Sequence, residues 1–286
     1  DEAGCFTSRQ FNIKDPVRVS SEYAIKLPDC YNSSDAEIQV SGFGGTPGYE
    51  MNLLTDTGIV RSGIGRDISF QNLAHGRYKA QTKDTYGCLF DTLLTIENRE
   101  KLLFDSVTAT EPACFGDSSG LISIGAKGGT TEEMYTFLFG TEDSVQEHQA
   151  RHSITVPGLF GGVYSARVRD DFECEIDNFI HLNQPVDLKL YEPAVYPPDC
   201  NGDINARVFV RGYGGTSVNN TYTYKLFRPH DKPQGQYTDT AAWFEQLGAG
   251  KYKIHLVDDN HCQLDTNIAI NNPDVLHISH LTTNNP

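Results

Sequence analysis

One phrase, Gly-x-Tyr-x5-Asp-x3-Cys, returns every 83 to 88 residues along this chain. It reads Gly76, Tyr78, Asp84, Cys88, then Gly162, Tyr164, Asp170, Cys174, then Gly250, Tyr252, Asp258, Cys262. At the start only Asp1 and Cys5 of a further copy are present. Self-similarity at a fixed period is the signature of an array of like modules. A second phrase keeps step with the first. It is Pro-x-Cys with a Gly-Gly-Thr about fifteen residues on, at Pro28, Cys30, Gly44, Gly45, Thr46; Pro112, Cys114, Gly128, Gly129, Thr130; and Pro198, Cys200, Gly214, Gly215, Thr216.

The two cysteines of a repeat lie 58, 60 and 62 residues apart, whereas successive repeats are separated by 25 or 26. Insertions therefore fall between the Gly-Gly-Thr and the Gly-x-Tyr, where loops tolerate them. The period divides the 286 residues into a C-terminal piece of a preceding repeat (1–15), three repeats (16–98, 99–183, 184–272) and the start of another (273–286). The chain is thus expected to be part of a longer string of modules. A unit of about 85 residues buries only about 60–65% of its unfolded surface, so its core alone gives marginal stability.

Strand signals dominate. Ala206 to Val210 and Thr221 to Leu226 alternate apolar with polar, and Tyr252, Ile254 and Leu256 share one face of the next strand. A long polar loop is expected from Arg228 to Thr240. Each repeat ends a strand at Ile13, Ile96, Leu182 or Ile270, three residues before Pro16, Arg99, Pro185 or Pro273. Six short strands with turns between them predict an all-β chain of tandem immunoglobulin-like β-sandwich repeats. Leu73, Leu159 and Leu247 are expected in three separate cores, with little contact between neighbours beyond the linker. Tyr78, Tyr164 and Tyr252 read as core rings whose hydroxyls bond backbone.

Recurring paired cysteines point to disulfides and an oxidising compartment. Zinc is disfavoured, because no Cys-x2-Cys pair occurs and no histidine follows the period. Four strands are expected between Cys30 and Cys88, an even number that returns the chain to the end where it started. The expected couples are therefore Cys30–Cys88, Cys114–Cys174 and Cys200–Cys262, each closing about 60 residues for roughly 4 kcal/mol on the chain-entropy model. Coupling Cys88 to Cys114 and Cys174 to Cys200 is the alternative. An extra strand would overturn the count. The partner expected for Cys5 belongs to an upstream half-repeat.

The phrases together, Pro-x-Cys, Gly-Gly-Thr before Tyr, Leu-x2-Gly-x-Tyr and Asp-x3-Cys, resemble the SprB-type repeats of Bacteroidota surface proteins. The likeness spans all 286 residues. It departs from the family where Glu173 and His261 stand in place of the glycine before the second cysteine, which among the three full repeats is kept only at Gly87. The resemblance implies a non-catalytic segment of a cell-surface adhesin filament that serves adhesion and gliding motility and is exported by the type IX system. Implied partners are further repeats of the same chain, surface polysaccharide or substratum, and the secretion and gliding machinery through other regions. It also implies O-glycosylation where Asp-Ser/Thr precedes an apolar or small residue, at Thr92, Ser106, Ser144 and Thr240.

The residues themselves argue against other classes. A net charge of −15 without a run opposes nucleic-acid binding. No apolar run approaches the roughly 18 residues of a membrane helix. No nucleophile elbow or phosphate-binding glycine loop appears, so no catalytic residue and no cofactor are assigned. His148 and His152 have a spacing that would hold a metal on a helix but lie in one variable loop, and no metal site is assigned. The acidic residues beside the cysteines (Asp170, Asp171, Asp258, Asp259; Asp35, Asp117, Asp203) read as turn chemistry. They would converge on calcium only if the cysteines of a repeat met. A different class, the carbohydrate-binding stalk of a polysaccharide-degrading enzyme, requires a row of exposed aromatics, beginning with the one tryptophan, Trp243.

Overall fold

The computed structural model describes residues 2–131, 133–228, 233–280 and 282. Asp1 of the first phrase, positions 229–232 of the expected polar loop, and 281 and 283–286 of the last segment lie outside the described residues.

Alternation of apolar and polar side chains builds the strands. In the first repeat these are β1 (Ser20–Lys26), β2 (Ala36–Phe43), β3 (Glu50–Thr55), β4 (Gly58–Ile64), β5 (Asp67–Leu73), β6 (Gly76–Lys83) and β7 (Leu89–Ile96). Ala36, Ile38 and Val40 of β2 point inward, and so do Tyr78 and Ala80 of β6. Two antiparallel sheets, β1-β2-β5 and β4-β3-β6-β7, close over this core. That is an immunoglobulin-like sandwich.

The second repeat repeats it with β8 (Leu103–Thr110), β9 (Gly120–Lys127), β10 (Tyr135–Thr141), β11 (Ser144–Ala150), β12 (Ser153–Leu159), β13 (Gly162–Arg169) and β14 (Glu175–Leu182). Its sheets run β12-β9-β8 and β11-β10-β13-β14. In the third repeat the first two strands are each broken, into β15 (Val186–Leu190) with β16 (Ala194–Tyr196), and β17 (Ala206–Val210) with β18 (Gly212–Gly215). There follow β19 (Tyr222–Phe227), β20 (Pro233–Asp239), β21 (Ala242–Leu247), β22 (Gly250–Val257) and β23 (Gln263–Ile270). The cores are separate, with Leu73 buried in the first, Leu159 packed on the second and Leu247 buried in the third.

Each repeat thus has seven strands where six are expected. The stretches read as insertion loops are hairpin strands: β4, β11 and β20 pair with β3, β10 and β19. Most of the expected loop from Arg228 to Thr240 is β20. Their burial patterns are mainly exposed, so the apolar alternation that marks a half-buried strand is missing from them. Residues 2–19 carry no strand. The equivalent β7 is a strand because β6 lies beside it.

The Gly-x-Tyr that opens the first phrase folds into one corner of the module. Tyr78, Tyr164 and Tyr252 are buried, and their hydroxyls donate to the carbonyls of Ala74 (2.9 Å), Phe160 (2.9 Å) and Gly248 (2.8 Å). This is the tyrosine corner of immunoglobulin-like sandwiches.

At the other end of the module a buried aspartate joins two loops. The Asp84 carboxylate accepts from the N–H groups of Thr46 (3.0 Å), Tyr86 (3.0 Å) and Cys88 (2.8 Å). Asp170 and Asp258 repeat the bonds to Thr130 (2.8 Å) and Thr216 (2.7 Å), and to Cys174 (3.0 Å) and Cys262 (2.9 Å). The Gly-Gly before each threonine has positive φ throughout. A Cβ on Gly44, Gly128 or Gly214 would collide with the carbonyl of Arg18, Lys101 or Asp187, where the incoming chain crosses. Gly44→Ala should therefore destabilise the first module by at least about 1 kcal/mol in denaturant unfolding.

The Thr46 N–H, with those of Cys88 and Tyr86, holds the Asp84 carboxyl below its ordinary value of 3.8. A lowered folded-state pKa gives stability that is complete above the ordinary value and lost as pH falls through the folded one. Stability should thus be flat from neutral pH to about 4 and fall below it, with a smaller fall in Asp84→Asn. Thermal melts across that range check this.

Candidate functional site: the stapled junctions

Five strands, β2 to β6, lie between Cys30 and Cys88. An odd number leaves the chain at the far end of the sandwich. β9 to β13 give the same count in the second module, as do β17 to β22 in the third with β17 and β18 taken as one broken strand. The first cysteine of a repeat therefore sits at the end where its sandwich meets the next module. The second sits at the opposite end, beside the Gly-Gly-Thr loop.

The disulfides follow from this placement. Cys30 is bonded to Cys174 (Cα–Cα 5.7 Å) and Cys114 to Cys262 (5.6 Å). Each joins the first cysteine of one module to the second cysteine of the next. The expected couples Cys30–Cys88, Cys114–Cys174 and Cys200–Cys262 are all overturned, because β4, β11 and β20 make the count odd. The alternative couples, Cys88–Cys114 and Cys174–Cys200, do not occur either. Cys88 and Cys200 are exposed and outside any disulfide.

Side chains from the linker complete each junction. Asn98, Gln184 and Asn272 stand two residues after the last strand of their modules. Each amide oxygen accepts from the N–H two residues past the first cysteine: Asn32 (3.0 Å), Gly116 (2.9 Å) and Gly202 (3.3 Å). Arg99 donates to the Pro28 carbonyl (2.9 Å) and lies 4.8 Å from the ring centroid of Phe172. At the second junction Asn260 donates to the Ala113 carbonyl (3.2 Å), and Cys114 packs against the core of the third module. Contact between neighbours is thus more than the linker alone. The linker amides were missed in the sequence, although an Asn or Gln recurs at that position in all three repeats.

The acidic clusters do not converge. Asp35 and Asp117 lie at the first-cysteine end, where they accept from the N–H of Asp29 (3.2 Å) and of Ser119 (2.9 Å). Asp84, Asp170 and Asp258 serve their own loops at the other end. Hydrogen bonds from Ser33 and from Ser119 lower the pKa of Asp35 and of Asp117 respectively. His148 is on β11 and His152 follows it, so their spacing is not helical. Among the described residues no three His, Cys, Asp or Glu are grouped to hold a metal, and no helix is long and apolar enough to cross a membrane. Thr92 is half-buried on β7, Ser106 is exposed on β8, Ser144 opens β11 and Thr240 follows β20.

The third module carries a second feature. On the outer face of β16-β17-β21, Trp243 lies 4.9 Å from Phe209 and 5.7 Å from Tyr196 between ring centroids. Arg207 lies over Trp243 (5.7 Å) and Tyr196 (5.5 Å). Trp243 is 42% exposed and Tyr196 45%. The positions matching Phe209 and Trp243 are Gln39 and Ser69 in the first module and Ser123 and Thr155 in the second, all polar, and Arg207 is matched by Glu37 and Leu121. On the opposite sheet a groove of about 980 Å³ is walled by Lys253 and His255, both already bonded to Asp265 at 3.0 and 2.7 Å.

No protein-family model matches the chain, and no curated protein matches it. Among solved structures it is similar to the FN1–FN3 domains of chicken CNTN1, at 11% identity and a TM-score of 0.28, over 89% of this chain and 98% of that one. The three N-terminal domains of the bacteriophage RB49 Highly Immunogenic Outer Capsid protein match over 91% and 99%, at 12% identity and a TM-score of 0.37. A complex of Dpr2 Ig1–Ig2 with DIP-Theta Ig1–Ig3 matches over 87% and 98%, at 10% identity and a TM-score of 0.31.

Between the two staples three stretches of chain run in parallel: 30–114, 114–174 and 174–262. The shortest limits how far the staples can be drawn apart. Pulled from its ends with disulfides intact, the region between Cys30 and Cys262 should extend to only about 200 Å, against about 800 Å after reduction. Single-molecule force spectroscopy with and without reductant measures both, and equal extensions would contradict the staples.

Proposed function

We propose that this chain is a non-catalytic repeat segment of an extracellular adhesin filament. The observation that carries the reading is the pair of cross-module disulfides. They fasten successive sandwiches end to end and are of use where a thin string of small domains bears load in an oxidising environment. The resemblance to SprB-type repeats supports the finer reading of a cell surface, export by the type IX system and a role in gliding. In that setting Thr92, Ser106, Ser144 and Thr240 are the glycosylation candidates, with Ser106, Ser144 and Thr240 the exposed ones. Antibody against this segment should label intact cells of the source organism and reduce their attachment and gliding displacement. Labelling only after lysis, or attachment unchanged by bound antibody, would overturn the proposal.

The exposed Trp243–Phe209–Tyr196 row favours a second reading, a stalk that binds carbohydrate. Flat aromatic faces stack on the apolar faces of sugar rings, and Arg207 adds a donor for acidic or hydroxyl groups. On a glycan array Trp243→Ala should lower binding several-fold, since one aromatic surface contributes on the order of 1 kcal/mol. An array on which the native segment binds nothing would exclude this reading.

A further inference from the structure

Every staple has two halves, and among the described residues both recur three times. The first is a Pro-x-Cys turn with buried proline, closed by a bond to the cysteine carbonyl from Ser33 (3.1 Å), Asp117 (3.3 Å) or Asp203 (3.1 Å). The second is the Asp-x3-Cys turn, in which the aspartate N–H donates to the cysteine carbonyl at 3.0, 3.1 and 3.1 Å. Cys30 and Cys114 use the first half, and Cys174 and Cys262 the second. One of each is left. Cys200 has the turn, the buried proline and the linker amide of Asn272 on Gly202. Cys88 has the buried Asp84 and its bonds to Thr46 and Cys88. Both are built like the bonded copies, and both thiols are exposed.

We propose that Cys200 and Cys88 are the two complementary halves of a further staple of the same kind. Each joins this chain covalently to another such module, Cys200 to the second-cysteine end of a following sandwich and Cys88 to the first-cysteine end of a preceding one. The contact is head-to-tail, so it does not close on itself and propagates as an open series. A second copy of the chain supplies the complementary half for each. Cys200 of one copy then bonds Cys88 of the next. The two thiols lose two protons and two electrons to a disulfide oxidant, such as oxidised glutathione, which is reduced to two thiols by exchange. The inference deepens the filament reading by naming how one segment continues into another.

The test uses the full chain carrying Cys5→Ser, with Cys30–Cys174 and Cys114–Cys262 formed, incubated in a mixture of oxidised and reduced glutathione. A ladder of oligomers on a non-reducing gel is expected, with Cys200 joined to Cys88 in the digest. Cys88→Ser and Cys200→Ser should each abolish every species above a dimer, and mixing the two variants should give a Cys200–Cys88 heterodimer. Thermal melting of each variant checks that it is folded. Only symmetric Cys88–Cys88 and Cys200–Cys200 dimers, an intrachain Cys88–Cys200 bond, or a chain that stays monomeric would overturn the inference. Antibody labelling of cells would be unaffected by that failure, so the two proposals fail separately.

Discussion

An odd number of strands between two cysteines governs this molecule. Strands of a sandwich run from one end to the other, so five of them carry the chain across and leave it there. The cysteines of a repeat are then a module length apart and cannot bond each other, since a disulfide needs Cα atoms within about 7 Å. The same parity brings the first cysteine of one module against the second of the next. Cross-linking between neighbours is a consequence of topology, and the short linker with its amide contact fixes which neighbour is met.

The staples supply what cores this small lack. Cys30–Cys174 and Cys114–Cys262 close 144 and 148 residues of chain, so each limits the unfolded freedom of two modules together. On the chain-entropy model each is worth about 5 kcal/mol. The polar contacts at the junctions are largely exposed and net contributions from such bonds are modest, about 1 kcal/mol or less. Their effect is orientation, holding each turn so that the sulfurs meet. The buried aspartate has the matching role at the other end. By binding both the Gly-Gly-Thr loop and the second-cysteine turn, it ties the incoming chain, the loop and the sulfur into one unit.

Much of this was legible in the sequence. The period, the all-β class, the three cores and the structural place of Tyr78, Tyr164 and Tyr252 follow from spacing and alternation. The pairing was not legible, because β4, β11 and β20 face solvent and show no apolar period. A polar hairpin strand looks like a loop, and one strand mistaken for a loop reverses the parity. Glu173 and His261 show a subtler limit. They depart from the glycine of the phrase, yet both adopt the positive φ of Gly87, at 62° and 64°. The turn is imposed by the aspartate's three bonds, which outweigh a local cost of about 1–2 kcal/mol for a side chain in that region. The aromatic row around Trp243 was half legible: Arg207 and Phe209 alternate with buried residues, but only the pairing of β16, β17 and β21 brings Tyr196 and Trp243 beside them.

Mass-spectrometric mapping of a non-reducing digest tests the connectivity most directly. Proteolysis that separates all seven cysteines onto different peptides should yield Cys30 linked to Cys174 and Cys114 linked to Cys262, each pair dissolving on reduction. Recovery of Cys30 with Cys88, or of Cys114 with Cys174, would mean that the cysteines of a repeat share one end of the sandwich. That result would contradict the account.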